Sequence, residues 1–278
     1  VERGEKLDRE NDGFRKKVEL ESVMAVRVSK KQAAAGIAVF GVLLCVYAFV
    51  VEPSWIDVSR HEVGTGTREM VVLHITDLHF STPGRRERKI QEVMAETKPD
   101  LIVITGDSIV QGYDQAAFTE FMATLKAPAG VFACPGNWED WVGPSVYECY
   151  RRAGVRLLND QSAILEGRQV ELSGFGSTRS TVPDGTGLFR IAICHYPIIL
   201  PPASRKGVGV VFAGHTHGGQ IRLPLIGALH TPYGSGPYEA GWYQEGSTRM
   251  YVSRGVGTSI LHARFWCRPE IAVHRVKY

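Results

Sequence analysis

The stretch Met70-Val71-Val72-Leu73-His74-Ile75-Thr76-Asp77-Leu78-His79 decides the fold. A short apolar run, here Val71–Ile75, reads as a buried strand. It ends on a carboxylate and an imidazole two positions apart. The same grammar repeats downstream. Leu101–Ile104 runs into Gly106-Asp107, Gly130–Ala133 into Gly136-Asn137, Ile191–Ile193 into His195, and Val208–Phe212 into Gly214-His215-Thr216-His217. Each polar group therefore stands just past the C-terminal end of a strand. Carboxylates and imidazoles converging there hold two hard-to-borderline divalent ions, provided one carboxylate bridges them.

The order of these motifs resembles the calcineurin-like metallophosphoesterases, whose pattern runs DxH, GDx, GN[HR][DE], a single His, then GHxH. The resemblance extends from about Met70 to the C-terminus. It implies a four-layer α/β/β/α sandwich and two divalent metal ions; mixed carboxylate and imidazole ligands suit Mn²⁺, with Fe or Zn as alternatives under the same ligand logic. Carried over position by position, Asp77, His79 and His217 hold the first metal, Asp107 bridges, and Asn137, His195 and His215 hold the second. No catalytic side chain is implied beyond a metal-activated water. The expected activity is metal-dependent hydrolysis of a phosphoric ester or diphosphate.

One position departs from the commonest pattern. Many relatives carry a His after the Gly-Asn pair, able to protonate the leaving group, and here it is Trp138. General-acid help is worth about 10²–10⁴-fold. An alkoxide needs it, whereas a phosphate-monoester leaving group, with a second pKa of about 6, does not. The substitution therefore leans toward a P–O–P linkage. His230 and His262 are the candidate replacement donors, and Glu139 keeps the acidic position that follows.

The chain has 278 residues and a net charge of +3, enough for one good-sized core and no electrostatic case for nucleic acid. Its five cysteines contain no CxxC pair, so no disulfide framework is expected; Cys134 and Cys194 read as small buried hydrophobes. Residues 1–31 form a charged tail that opens on Val1 rather than Met, which leaves open how much of it is native. Ala33 to Val51 gives 19 residues without a charge. At 1.5 Å per residue such a helix is about 28 Å long, enough to cross a hydrocarbon core. The expected organisation is a tail (1–31), a single-pass anchor (32–52) in a cell (inner) membrane, a linker (53–69) and one catalytic domain (70–278). Arg27, Lys30 and Lys31 precede the helix while Glu52 and Asp57 follow it, which puts the domain outside by the positive-inside rule.

Helical patterns cover Glu87–Thr97, Gln115–Leu125 and Ser145–Ala153; Val155–Leu158, Ala163–Leu165, Val170–Leu172, Met250–Val252 and Ile271–Val276 read as further strands. Arg85 and Arg86, in a basic run with Arg88 and Lys89, are candidate contacts to a diphosphate or to anionic lipid heads. Arg254 and Arg264 could meet a phosphate bidentately, with a surface ion pair as the equal alternative. The long stretch from Leu223 to Trp242 offers Tyr233, Tyr238, Trp242 and the adjacent Tyr243 as an acyl pocket or interfacial anchors, with packing under the loop as the alternative.

A membrane tether and pyrophosphate chemistry together indicate a lipid-linked substrate. The best-matching reaction is that of membrane-associated UDP-2,3-diacylglucosamine hydrolases, which give UMP and the acylated sugar phosphate for lipid A. That substrate is cytoplasmic, in conflict with the charge asymmetry around the helix. An extracytoplasmic phosphodiesterase acting on cell-wall or phospholipid diesters is the alternative, and a non-catalytic metal-binding scaffold the second.

Overall fold

A computed structural model describes residues 29–278, so the charged tail lies almost wholly outside the described residues. The described residues divide into two units, with the boundary between Cys45 and Val46. In the first, helix α1 (Lys30–Val46) presents its apolar side chains without burying any of them. Together with the turns that follow, the helical run Lys30–Ser54 contains an 18-residue stretch with a mean hydropathy of 2.6, long and apolar enough to cross a membrane.

In the second unit two six-stranded mixed sheets carry the fold. The first is built from β1 (Asp57–Gly64), β2 (Glu69–Ile75), β3 (Leu101–Thr105), β4 (Val131–Cys134), β5 (Arg156–Leu157) and the C-terminal β14 (Glu270–Lys277), in the order β1-β14-β2-β3-β4-β5. The second contains β6 (Gln161–Leu165), β7 (Val170–Phe175), β8 (Phe189–Cys194), β9 (Val210–Ala213), β12 (Gly241–Glu245) and β13 (Thr248–Val252), in the order β12-β13-β9-β8-β7-β6. A two-stranded hairpin, β10 (Arg222–Leu223) with β11 (Gly227–Ala228), lies between β9 and β12 in sequence. The strands β2, β3 and β4 run parallel, as do β7, β8, β9 and β13. Their motif-bearing ends therefore share one edge.

Three cores define four layers. Leu73, Ile75, Ile102 and Ile104 pack outward against Ile90 and Val93 of α2 (Arg85–Thr97), Phe118 and Met122 of α3 (Gln115–Thr124), and Val146 and Tyr150 of α5 (Ser145–Ala153). The alternate strand positions, Val72, Leu101, Val103 and Phe132, meet Leu172, Ile191, Ile193, Val210 and Phe212 of the second sheet. The far side of that sheet packs Ala192, Val211 and Met250 on Ile199, Leu200 and Ala203, within and just before α6 (Leu200–Arg205). Strands buried on both faces read as continuous apolar runs, which is why periodicity alone located them. The result is the α/β/β/α sandwich.

Two expectations change. Residues 53–69, read as a linker, contain β1, which pairs in parallel with β14 from Asp57↔Glu270 to Gly64↔Lys277. Its partly exposed, mixed-polarity residues carry no clean period, and its partner lies some 210 positions away in sequence, so nothing local marks it as a strand. The stretch from Leu223 to Trp242, expected as a long loop, contains the hairpin's second strand and enters β12.

Candidate metal centre

The seven polar groups at the strand ends converge. Asp77, His79, Asp107 and His217 form one buried cluster and Asp107, His195 and His215 a second, with ligand-capable atoms in each within 4.8 Å of one another. Asp107 belongs to both. The Asn137 amide oxygen lies 3.2 Å from His195 Nε2, which places it at the second cluster. The donor set is hard oxygen plus imidazole, suited to divalent metals.

Backbone conformation aims these side chains. Asp77 (φ 51°), His79 (φ 46°), Asp107 (φ 51°), His215 (φ 73°) and His217 (φ 50°) all sit in the left-handed region. For a non-glycine residue that costs roughly 1–3 kcal/mol each. Strain on this scale at one place is a signature of a functional site, and the sheet ladder on either side holds it. Across that edge the Asp77 and His79 amides donate to the carbonyls of Gly106 and Asp107, both at 3.0 Å. Gly106 (φ +83°) is required twice over: a Cβ there would sit 2.7 Å from both the Gly136 nitrogen and His195 Nδ1.

Hydrogen bonds set the tautomers. His195 Nδ1 lies 2.8 Å from the Thr105 carbonyl and so carries a proton, turning Nε2 toward Asp107 at 3.4 Å. His215 Nε2 donates to the Tyr233 carbonyl at 2.7 Å, leaving its Nδ1 lone pair 3.0 Å from His195 Nε2. Two lone pairs so placed repel unless a second proton or a cation intervenes. Burial pulls His195 down, but Asp107, reinforced by Asp77, outweighs it and lifts the imidazole to about 9. At the other cluster His79 and His217 Nε2 lie 3.1 Å apart. Burial lowers His79 to about 4 and His217 well below its ordinary value. Neutral imidazoles face to face beside Asp77, whose carboxyl burial and Asp107 push up to about 7, make a pair of sites that divalent cations fit.

Glu139 is the residue whose role sequence reading missed. Fully buried at the start of α4 (Asn137–Val142), it accepts backbone N–H bonds from Asp107 (2.8 Å), Ser108 (2.8 Å) and Gly136 (2.9 Å), and the Tyr150 hydroxyl at 3.1 Å. Burial and the nearby Asp107 charge raise its carboxyl. One carboxylate thus fixes the Asp107 loop against the Asn137 loop. The signal for it was present: an acidic residue three positions after a helix-capping Gly is a capping-box pattern.

The proposed substrate contacts fare differently. Arg264, expected to meet phosphate, is fully buried, and its guanidinium donates to the carbonyls of Arg254 (2.8 Å), Gly255 (3.1 Å), Gly257 and Cys267 (3.0 Å). It braces the loop beneath His217. Arg254 pairs with Asp57 at 2.8 Å and Glu270 at 3.2 Å, which holds β1 to β14. Arg85 and Arg86 line a separate pocket.

A cleft of about 490 Å³ opens over Asp107, Asn137, His215 and His217, walled by Trp138, Trp141, Tyr196, Tyr233 and Ile260. The Trp138 ring meets His79 edge to face at 5.3 Å, and its backbone amide donates to Asp107 Oδ1 at 2.9 Å. His230 lines this cleft; His262 borders the other pocket and lies 3.0 Å from the Thr258 hydroxyl. Of the four aromatics between Leu223 and Tyr243, Tyr233 alone reaches the cleft, while Tyr238 packs on Tyr243 and Trp242 on Tyr251.

Residues 70–219 match the family model for calcineurin-like phosphoesterases. The chain belongs to that family. It is similar to an uncharacterized metallophosphoesterase, YkuE, of Bacillus subtilis (31% identical, 83% of this chain and 89% of that protein). It is also similar to the phosphodiesterase YaeI of Escherichia coli (30% identical, 82% and 90%). A more distant relative is the UDP-2,3-diacylglucosamine pyrophosphatase LpxG of Chlamydia trachomatis (24% identical, 85% and 94%). Family membership and the buried His/Asp cluster make the chain a metal-dependent phosphoester hydrolase.

Proposed function

We propose that the chain is a membrane-anchored, dinuclear-metal hydrolase that cleaves a P–O–P bond in a lipid-linked substrate, with UDP-2,3-diacylglucosamine as the first candidate. The observation that carries the two-metal part is the convergence of two buried clusters on one shared carboxylate, Asp107. Asp77, His79 and His217 would hold one ion, Asn137, His195 and His215 the other, and Mn²⁺ suits this mixture of oxygen and imidazole donors. Bound there, the ions would acidify a water and neutralise phosphate oxygens.

The chain's own residues shape the rest. Trp138 puts an indole beside His79 where a proton donor would serve an alkoxide leaving group, which favours a leaving group that needs none. The cleft walls of Trp138, Trp141, Tyr233 and Ile260 suit an amphiphilic substrate. The 24% identity to LpxG accords with the same substrate class. The apolar helix would keep the domain at the bilayer.

A second reading, an extracytoplasmic phosphodiesterase on wall or phospholipid diesters, draws on the basic residues before the helix and on the 30% identity to YaeI. In that case His230, within the cleft, is the available proton donor. A non-catalytic metal-binding scaffold would keep the same donor set, and what weighs against it is similarity to a phosphodiesterase and a pyrophosphatase.

The test is mass spectrometry of products from the full chain in detergent, supplied with Mn²⁺ and UDP-2,3-diacylglucosamine. UMP plus acylated sugar phosphate, lost in Asp107→Ala, is expected. Inertness on that lipid with turnover of a chromogenic phosphodiester selects the second reading. Inertness on both returns the scaffold.

A further inference from the structure

We infer that the mouth of the cleft is itself a membrane-docking surface, resting on an anionic bilayer through an apolar rim and a basic pocket. The inference rests on reading Lys30–Ser54 as a membrane anchor and is independent of which substrate is cleaved. Large apolar side chains stand in the open on the cleft wall and on the segments that adjoin it in the chain: Ile260, a wall residue, is 92% exposed, Ile226 at the hairpin tip 69%, and Trp266 58%, with Leu225 beside Ile226. Single exposed aliphatics are ordinary; a run of them beside a cleft marks an interaction surface.

These residues form one connected strip. The hairpin is tied to the Ser259–Phe265 segment by Arg222 N–H to the Phe265 carbonyl (2.8 Å), Phe265 N–H to the Gln220 carbonyl (2.9 Å) and Ser259 N–H to the Gln220 side chain (2.7 Å). That segment is in turn tied to the last turns of the apolar helical run. Arg264 N–H donates to the Ala48 carbonyl at 2.9 Å, Tyr47 and Phe265 meet edge to face at 5.9 Å, and Glu52 accepts the Trp266 N–H at 2.9 Å. The surface is therefore continuous, through bonded backbone, with Tyr47–Val51, five apolar residues of the run that would enter the bilayer.

Charge selects the lipid. The loop carrying Ile260 has the cleft on one side, lined by Ser259 and Ile260, and on the other a pocket of about 450 Å³ lined by Thr258, His262, Phe49, Val50, Arg85 and Arg86, with Glu87 turned to cap the Gly84 amide at 2.7 Å. Arg88 borders the adjoining depression with Trp55, where Lys89 is already paired with Glu92 at 3.1 Å. Among the described residues, Arg85, Arg86 and Arg88 have no acidic partner within ion-pair distance. Guanidinium groups beside Phe49 and Val50 match phosphate headgroups above acyl chains, and phosphates bind guanidinium bidentately. A substrate seated in the bilayer would then reach the cleft without leaving the lipid.

The test uses the full chain with Cys45, the exposed native cysteine, replaced by Ser and one cysteine introduced at Ile260, labelled with an environment-sensitive fluorophore and placed in nanodiscs. Nitroxide-bearing lipids should quench the probe at 260 and leave one at Ile164→Cys, an exposed aliphatic on β6, bright. Should Ile260→Cys fail to fold, Ile226→Cys gives the same reading. Arg85→Ala with Arg86→Ala should shift the docked population on phosphatidylglycerol discs by on the order of tenfold or more, and leave that on neutral discs unchanged. Equal quenching at 164 and 260, or none at 260 and 226, overturns the inference. Flotation with liposomes separates the failures: a chain that does not float refutes the anchor, and one that floats with a bright 260 probe refutes docking alone.

Discussion

Replacing Glu139 by Gln tests whether the metal centre is held from behind. The carboxylate receives four donors, the amides of Asp107, Ser108 and Gly136 and the Tyr150 hydroxyl. A glutamine keeps one acceptor oxygen and turns an NH₂ toward the other pair of donors. If the oxygen faces Asp107 and Gly136, the Tyr150 hydroxyl can rotate to accept, but the Ser108 N–H is left against a donor. One unsatisfied buried N–H costs about 1–3 kcal/mol, and two charge-assisted bonds made neutral lose about 1 kcal/mol each. Relief of repulsion with Asp107 and of the buried charge offsets part of this, leaving a net loss of roughly 2–4 kcal/mol. Because the loss falls on the loops carrying Asp107 and Asn137, it should appear as a 10–100-fold weaker metal affinity, the usual scale for a group that orients ligands. Calorimetric titration of the metal-stripped full chain in detergent with Mn²⁺ measures it, with a thermal scan of the same samples. Affinity within twofold of the parent would refute the reasoning, as would a fall in Tm without any change in affinity.

Arg264→Met should lower the unfolding temperature severely or prevent folding, since it strips donors from the buried Gly257 and Cys267 carbonyls, at about 1–3 kcal/mol each, and weakens the bonding at Arg254 and Gly255; a stable variant with only a raised KM would instead make Arg264 a phosphate contact. Trp138→His should speed hydrolysis of an alkyl phosphodiester by at least tenfold, toward the 10²–10⁴ of general-acid help, with little change on a pyrophosphate; equal effects on both would remove the leaving-group argument. A third test concerns pH. His74 and His274 lie buried between the sheets, and burial lowers His74 to about 3 and His274 well below its ordinary value. Both are neutral when folded, so below about pH 6.5 the unfolded chain binds more protons and stability falls with pH, by up to about 1.4 kcal/mol per unit for each. His274→Phe should remove up to about 2 kcal/mol of the loss between pH 7 and pH 5; denaturant curves of parent and variant that stay parallel across that range would count against it.

Much of this was legible along the chain because the relevant signals are local. A strand buried on both faces must be apolar over four or five residues, and a group at its end must follow within one or two, so Asp77, Asp107, Asn137, His195, His215 and His217 announced themselves. Membrane-compatible length is also a local property, which is why Ala33–Val51 stood out. What failed to show was either mixed in pattern or long-range. The strand Asp57–Gly64 has no clean period, and its status depends on pairing with Glu270–Lys277. Arg264 looked like any arginine in a Gly-rich loop until four carbonyls closed around it. Glu139 was visible as an acid, and its task only through three amides drawn from separate loops.

By itself the sequence determined which residue types stand at the ends of which strands, and hence the reaction class, because apolar runs and metal-ligating side chains are chosen position by position. Tertiary structure alone decided that Asp107 is shared, that five of these residues take left-handed backbone to reach one centre, and that the Arg264 amide is bonded to the Ala48 carbonyl of the apolar run. Those depend on the closure of two sheets across distances the chain does not encode locally, where packing and hydrogen bonding over the whole edge outweigh the preference of any single residue.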